Sequence, residues 1–188
     1  RSTRGWSYGS SVRDPRTQEI LKGHVSLGSL RVRQDLLLAE GFLAPYVDGS
    51  ASPELEAFAL ARIRQLSAHE VGHTIGLEHN FAASTNGRAS VMDYPPPRIG
   101  LVNGRPDLSD AYAKGIGGWD IATVRWLYGD AGTTEVAKSA ADYRYVKDDN
   151  ARAPDTAYAW GGLWDDGADP VAELTRLMEV RQAALSQF

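Results

Sequence analysis

The sequence predicts an α+β domain dominated by helices, and three observations carry that expectation. Near the N-terminus apolar and polar residues alternate on both sides of a turn signal, the pattern of a β-hairpin. From Pro53 to Ile75 apolar residues recur at helical spacing behind a serine cap, with nothing to interrupt one long helix. Two further helical stretches occupy the C-terminal third, each with its own start or stop signal.

Residues 5–12 alternate through Trp6, Tyr8, Ser10 and Val12, Asp14-Pro15-Arg16-Thr17 is a turn signature, and residues 20–27 form the return strand. His24 on that return strand reads as a structural histidine and not as a ligand. Leu30, Val32, Leu36, Leu37 and Phe42 suggest a helix over 29–42 that ends near Gly41, followed by a loop over 45–52. Ser52 then caps the long helix, Pro53 occupies its first position, and Glu54 and Glu56 suit the positive end of its dipole. Leu55, Phe58, Leu60, Ile63 and Leu66 continue its apolar pattern.

Residues 80–104 are loop-rich, with Asn86-Gly87, Pro95-Pro96-Pro97 and Asn103-Gly104. Gly115-Ile116-Gly117-Gly118 lacks the spacing and the Lys-Ser/Thr pair of a phosphate loop, so it reads as the lead-in to a helix over 119–128, closed by Gly129. Residues 130–164 are polar and expected to be irregular. Asp165, Asp166 and Asp169 do not have EF-hand spacing and are expected in a solvated loop. Asp169 also caps a last helix starting at Pro170, whose stripe of Val171, Leu174, Leu177, Met178, Leu185 and Phe188 is expected to dock on the core. A partner surface is the alternative for that stripe.

The chemistry concentrates in residues 69–79, which read H-E-x-x-H-x-x-G-x-x-H and contain three of the four histidines of the chain. His69 and His73, four apart on a helix, project from one face and can share a metal. Glu70 stands beside them, able to reach a metal-held water without filling a coordination position. Gly76 can take the positive φ that ends the helix and swings His79 round as a third ligand. Three protein ligands leave a fourth position open, which distinguishes a catalytic zinc site from a closed structural one. The bland alternative is a helix whose histidines cap or pack and bind nothing.

Downstream, Ser90-Val91-Met92-Asp93-Tyr94 resembles the methionine-containing turn of the metzincin clan of zinc-dependent metalloproteases. The resemblance implies that Met92 forms an apolar floor beneath the imidazoles and that Tyr94, in an S-x-M-x-Y form similar to the astacin and serralysin branches, reaches the reacting carbonyl. Ordinary core packing is the alternative for both. Residues 4–17 (RGWSYGSSVRDPRT), 23–35 (GHVSLGSLRVRQD), 62–80 (RIRQLSAHEVGHTIGLEHN) and 86–97 (NGRASVMDYPPP) are similar to the catalytic region of large bacterial proteases of the Met-zincin (DUF4953) group, which often carry a DUF5117 region upstream. Asn80 departs from the residue that follows the third histidine in astacins, matrixins and reprolysins, so their substrate rules do not transfer.

The resemblance implies one metzincin-like catalytic domain over 1–188: an edge hairpin over 1–28, a zinc-binding helix with the third ligand over 53–79, a Met-turn over 90–94 and a C-terminal helical part over 119–188. The hairpin is either the strand against which an extended substrate pairs or a plain hairpin. The activity implied is endopeptidase cleavage of a protein or peptide substrate with Zn2+ held by His69, His73 and His79. Glu70 acts as general base and Tyr94 assists. A catalytically silent zinc-binding module and a zinc hydrolase of a non-peptide bond are the alternatives, and Glu70 speaks against the first because metal binding does not need it. The resemblance also implies an extracytoplasmic (periplasmic or secreted) protein with upstream and downstream regions in a larger polypeptide. Any export signal is then expected to lie outside these residues.

Composition bounds the rest. With 188 residues, 43% hydrophobic and 23% charged, the chain is one ordinary globular domain's worth. A net charge of −4 gives no basic footprint for nucleic acid. No apolar run approaches the ~20 residues of a membrane span, and the absence of cysteine excludes disulfides, thiolate metal sites and a cysteine nucleophile.

Overall fold

The computed structural model describes residues 6–43, 46–47, 50–129, 132–151, 155 and 158–186. Residues 1–5 of the expected hairpin, residues 45, 48 and 49 of the expected loop, residues 130–131, 152–154 and 156–157 of the expected irregular stretch and Phe188 of the last stripe lie outside the described residues. The axis of the molecule is the long helix α2 (Pro53–Thr74), one helix as its capping residues require. The Ser52 hydroxyl accepts from the Glu54 N–H at 3.3 Å, Pro53 takes the first turn, and Glu54 and Glu56 follow it.

Two elements lie against α2. The hairpin of β1 (Tyr8–Arg13) and β2 (Ile20–Ser26) is antiparallel, with Tyr8 opposite Ser26, Ser10 opposite His24 and an irregularity at Val12/Arg13. Its turn is held by Asp14, which accepts from the Arg16 N–H at 2.8 Å. β1 crosses the helix so that Gly9 lies directly on the backbone carbonyl of Glu70. Helix α1 (Ser29–Glu40), ended at Gly41, packs beside it. Within α1 the apolar count misleads: Asp35 and Ala39 are buried, while Leu37 and Leu38 stay half exposed.

The largest core cluster joins Ala39 of α1, Leu55 and Phe58 of α2, the loop residues Ile99, Leu108 and Tyr112, and Val180 of the last helix. The Phe58 and Tyr112 rings sit 5.4 Å apart. A second cluster, Leu77, Val91 and Met92, underlies the C-terminal end of α2, and a third gathers Phe81, Ala82, Val146 and Ala151 beside it. Two short antiparallel pairs complete the strands: β3 (Tyr46–Val47) with β4 (Ser50–Ala51), and β5 (Gly100–Val102) with β6 (Arg105–Asp107). Asn103 and Gly104, both at positive φ, turn the second pair where the sequence suggests only loop.

The C-terminal third departs from expectation in three places. Residues 130–164 are not simply irregular. They hold α4 (Thr133–Ala140) and a single helical turn, α5 (Asp148–Ala151), after α3 (Gly118–Tyr128). The aspartates after Trp164 do not form a solvated loop either. Asp166 is buried facing Arg98 and Arg176 at 3.8 and 4.0 Å, and Asp165 accepts from the Gly162 N–H at 2.8 Å. Asp169 does cap α6 (Pro170–Leu185), accepting from Val171 and Ala172.

The third departure is the face on which α6 docks. It attaches through Val180, Ala184 and Arg176, whose guanidinium donates to the Ile99 carbonyl at 2.5 Å, and the expected stripe of Val171, Leu174, Leu177, Met178 and Leu185 remains exposed. Among the described residues no helix is long and apolar enough to cross a membrane.

Candidate metal centre

In its last two turns α2 brings His69, Glu70 and His73 to one side of the helix, with His69 and Glu70 buried. The helix then closes with paired bonds, Gly76 N–H to the His73 carbonyl at 3.1 Å and Leu77 N–H to the Gly72 carbonyl at 3.0 Å. That closure requires a residue at positive φ, and Gly76 supplies it at φ +92. The reversed chain carries His79 back over the helix end. The three imidazole centroids stand 4.8 Å (His69–His73), 4.6 Å (His73–His79) and 5.2 Å (His69–His79) apart. One nitrogen from each ring lies within 4.8 Å of the others.

The back of each ring is held. His69 Nδ1 meets the Val91 carbonyl at 2.7 Å, His73 Nδ1 the Leu77 carbonyl at 2.9 Å, and His79 Nδ1 the Asp148 Oδ2 at 2.5 Å. A carbonyl or an ionised carboxylate only accepts, so each Nδ1 carries the ring proton and each Nε2 presents a lone pair. His73 Nε2 and His79 Nε2 then face each other at 3.1 Å with two lone pairs and no proton between them. A metal cation between them satisfies that arrangement. Two nitrogens on one tetrahedral ion at about 2.0–2.1 Å stand roughly 3.3 Å apart, so the donor set fits a metal. Burial, with the neighbouring His73, His79 and Arg62, pushes His69 down to about 3, against the pull of the Val91 carbonyl, and keeps its ring neutral.

The carbonyl behind His69 is itself anchored. Asp120, on the first turn of α3, accepts from the Ser90 hydroxyl at 2.5 Å, the Val91 N–H at 2.8 Å and the Gly117 N–H at 2.8 Å. The Ser90 hydroxyl in turn accepts from the Met92 N–H at 2.9 Å. This fixes the turn that carries Met92, which is fully buried beneath α2 with its sulfur in the space a side chain on Gly72 would occupy. Tyr94, two residues on, packs its ring 5.4 Å from His69 and 4.9 Å from His79, edge to face with both, and Phe81 and Trp164 flank it. Glu70 accepts from the Gly9 N–H of β1. Burial raises its carboxyl above the usual range, against the pull of His73, Gly9 and Arg62.

Thus His69, His73, His79, Glu70 and Tyr94 all gather at one place, as the sequence leads one to expect. His24 is exposed on β2 against Tyr8 and takes no part. Two supporting carboxylates escape the sequence reading. Asp120 leaves a faint trace as an acidic residue in the first turn of a glycine-led helix. Asp148 leaves none, because it reaches His79 from a stretch without pattern. A family model described as Met-zincin matches residues 51–188 of the chain. No curated protein and no solved structure matches it.

Proposed function

We propose that this chain, which belongs to the Met-zincin family, is a zinc-dependent endopeptidase with His69, His73 and His79 as metal ligands and Glu70 as general base. The observation that carries the reading is the pair of opposed Nε2 lone pairs within a cluster of three imidazoles whose other nitrogens are already held. A zinc ion held there by the three imidazoles would supply Lewis acidity to the attacking water and the carbonyl. Glu70 takes the proton of the attacking water and returns it to the leaving amine. Its burial and raised proton affinity favour that exchange. The Gly9 N–H keeps the carboxylate turned toward the reacting atoms.

Tyr94, packed edge to face against the His69 and His79 rings, donates its hydroxyl to the oxygen that becomes negative as the carbonyl is attacked. Met92 serves as the floor of a Met-turn, rigid because Asp120 holds the residues before it. β1, seated on α2 at Glu70, is the strand against which an extended substrate pairs, and Trp6 and Ser7 just before it border the cavity beside His69. We infer a single catalytic domain working outside the cytoplasm within a larger polypeptide.

Chelation tests the reading. Dialysis against a chelator should abolish cleavage of an unstructured protein substrate, and stoichiometric zinc should restore it. Cleavage that persists in a chain shown by elemental analysis to hold no metal removes zinc from the reaction. Full zinc occupancy with no cleavage of any peptide bond favours the silent module.

A further inference from the structure

Beside His69 and Glu70 lies a cavity of about 290 Å³ whose walls include Arg31, Arg62, Tyr94 and Trp164. Arg62 is 5% exposed, on the same helix as the metal-site histidines and two turns before His69. A guanidinium has five N–H donors. Here one of them, on Nη1, meets the Gln65 side-chain oxygen, and the cation sits 5.2 Å over the Tyr112 ring. Among the described residues no carboxylate lies within 4.0 Å of the Arg62 nitrogens, although Asp35, also buried, is near enough to act on it through space. A buried charge without a paired counter-charge is costly and rare. This one lines a cavity at the reacting centre, and its field is felt by His69 and Glu70.

The acidic groups on the cavity wall do not answer it. Each oxygen of Asp93 already accepts a backbone N–H, from Tyr94 at 2.7 Å and Ser84 at 2.9 Å, and Glu70 is turned to the Gly9 N–H. Arg31 adds a second cation, stacked over the Trp164 ring at 5.6 Å and bonded to Gln34.

The geometry points to a substrate subsite for a carboxylate, with Arg62 at its base and Arg31 at its wall, so that cleavage occurs next to an acidic group. This rests on the peptidase reading above. The carboxylate is either the side chain of an Asp or Glu next to the scissile bond or the free C-terminus of the substrate. Arg fits both because its planar fork matches a carboxylate with two parallel bonds.

The test uses the whole chain carrying Glu70→Gln, loaded with zinc so that peptides bind without turnover. Capped, amidated alanine-rich peptides that differ only by Glu or Gln at the centre are titrated, with tryptophan fluorescence as the signal, since Trp6 and Trp164 border the cavity. The Glu peptide should bind at least about tenfold tighter than the Gln peptide, as expected for a charge-assisted contact over a neutral one. Adding Arg62→Gln should bring that ratio close to one.

Arg31→Gln, at a half-buried position, should reduce the ratio without Arg62 being disturbed, and serves if the Arg62 variant does not fold. A Gln peptide with a free C-terminus that gains the same tenfold over its amide assigns the site to a terminal carboxylate. Equal binding of all peptides overturns the subsite, as does an acidic preference that survives both arginine substitutions. Cleavage by the Glu70-intact chain is measured in parallel. Acid-selective binding without cleavage sinks the peptidase reading alone, and cleavage without acid selectivity sinks the subsite alone.

Discussion

Behind His79 stands Asp148, a carboxylate at 2.5 Å from Nδ1 contributed from 69 residues further along the chain. A partner of this kind fixes the ring's tautomer and strengthens its other nitrogen as a donor to metal. Asp148→Asn should therefore lower zinc affinity by about 10–100-fold while leaving the fold intact. Competition against a chromophoric chelator reads this directly, and an affinity within about twofold of the parent makes Asp148 a bystander. At this scale the clustering of the three histidines was legible, because His69, His73 and His79 are tied by helical spacing and one glycine turn. Asp148, Asp120 and Arg62 were not. Their roles depend on which backbone or side chain tertiary packing sets in front of them, and a carboxylate or guanidinium looks the same in sequence whether solvated or buried.

Among the elements, α2 obeys its sequence from cap to closure, and its C-terminal turn sets the position of His79. Gly76→Ala places a Cβ on a residue at φ +92 and should cost about 1–2 kcal/mol of stability. Because His79 hangs on that turn, the variant should also bind zinc more weakly. Denaturant unfolding with and without metal measures both, and unchanged values in the two series contradict the assigned turn. The hairpin was equally legible, since alternation and the Asp14-Pro15 turn are local signals.

Helices α1 and α6 were legible as helices but not in the faces they bury. α6 docks through the small Ala184, through Val180 and through Arg176, whose guanidinium donates to the Ile99 carbonyl. A count of large apolar residues passes over small and charged anchors, so it chose the exposed stripe instead. α4 and α5 were missed because their apolar residues are few and their stabilisation comes from contacts such as Val136 and Ala151 with other elements.

Across the whole molecule two buried groups set opposing pH dependences in the metal-free chain. Burial first, and then the nearby Asp165 and Asp166, push Asp93 up to about 7 from 3.8, against the pull of the Tyr94 and Ser84 N–H groups. The folded chain therefore holds a proton there that the unfolded chain releases. The stability this contributes is present below about pH 4 and is lost as pH rises toward 7. His69, pushed down to about 3 from 6.5, does the reverse: the unfolded chain holds the proton, so stability rises between those values. These two slopes have opposite signs between about pH 4 and 6.5. Asp93→Asn removes one of them, so over that window its stability in metal-free buffer should rise with pH relative to the parent's. Thermal unfolding at half-unit pH steps shows it, and a variant whose profile parallels the parent contradicts the shift assigned to Asp93.

The central claim is that a metal on three histidines and the carboxylate of Glu70 act together on a peptide bond. Its most direct test is Glu70→Gln, assayed for zinc content and for cleavage of an unstructured protein substrate side by side with the parent. The account predicts one zinc per chain in both proteins and a loss of several orders of magnitude in turnover in the variant alone. A zinc-replete Glu70→Gln chain that cleaves at the parent's rate would contradict it.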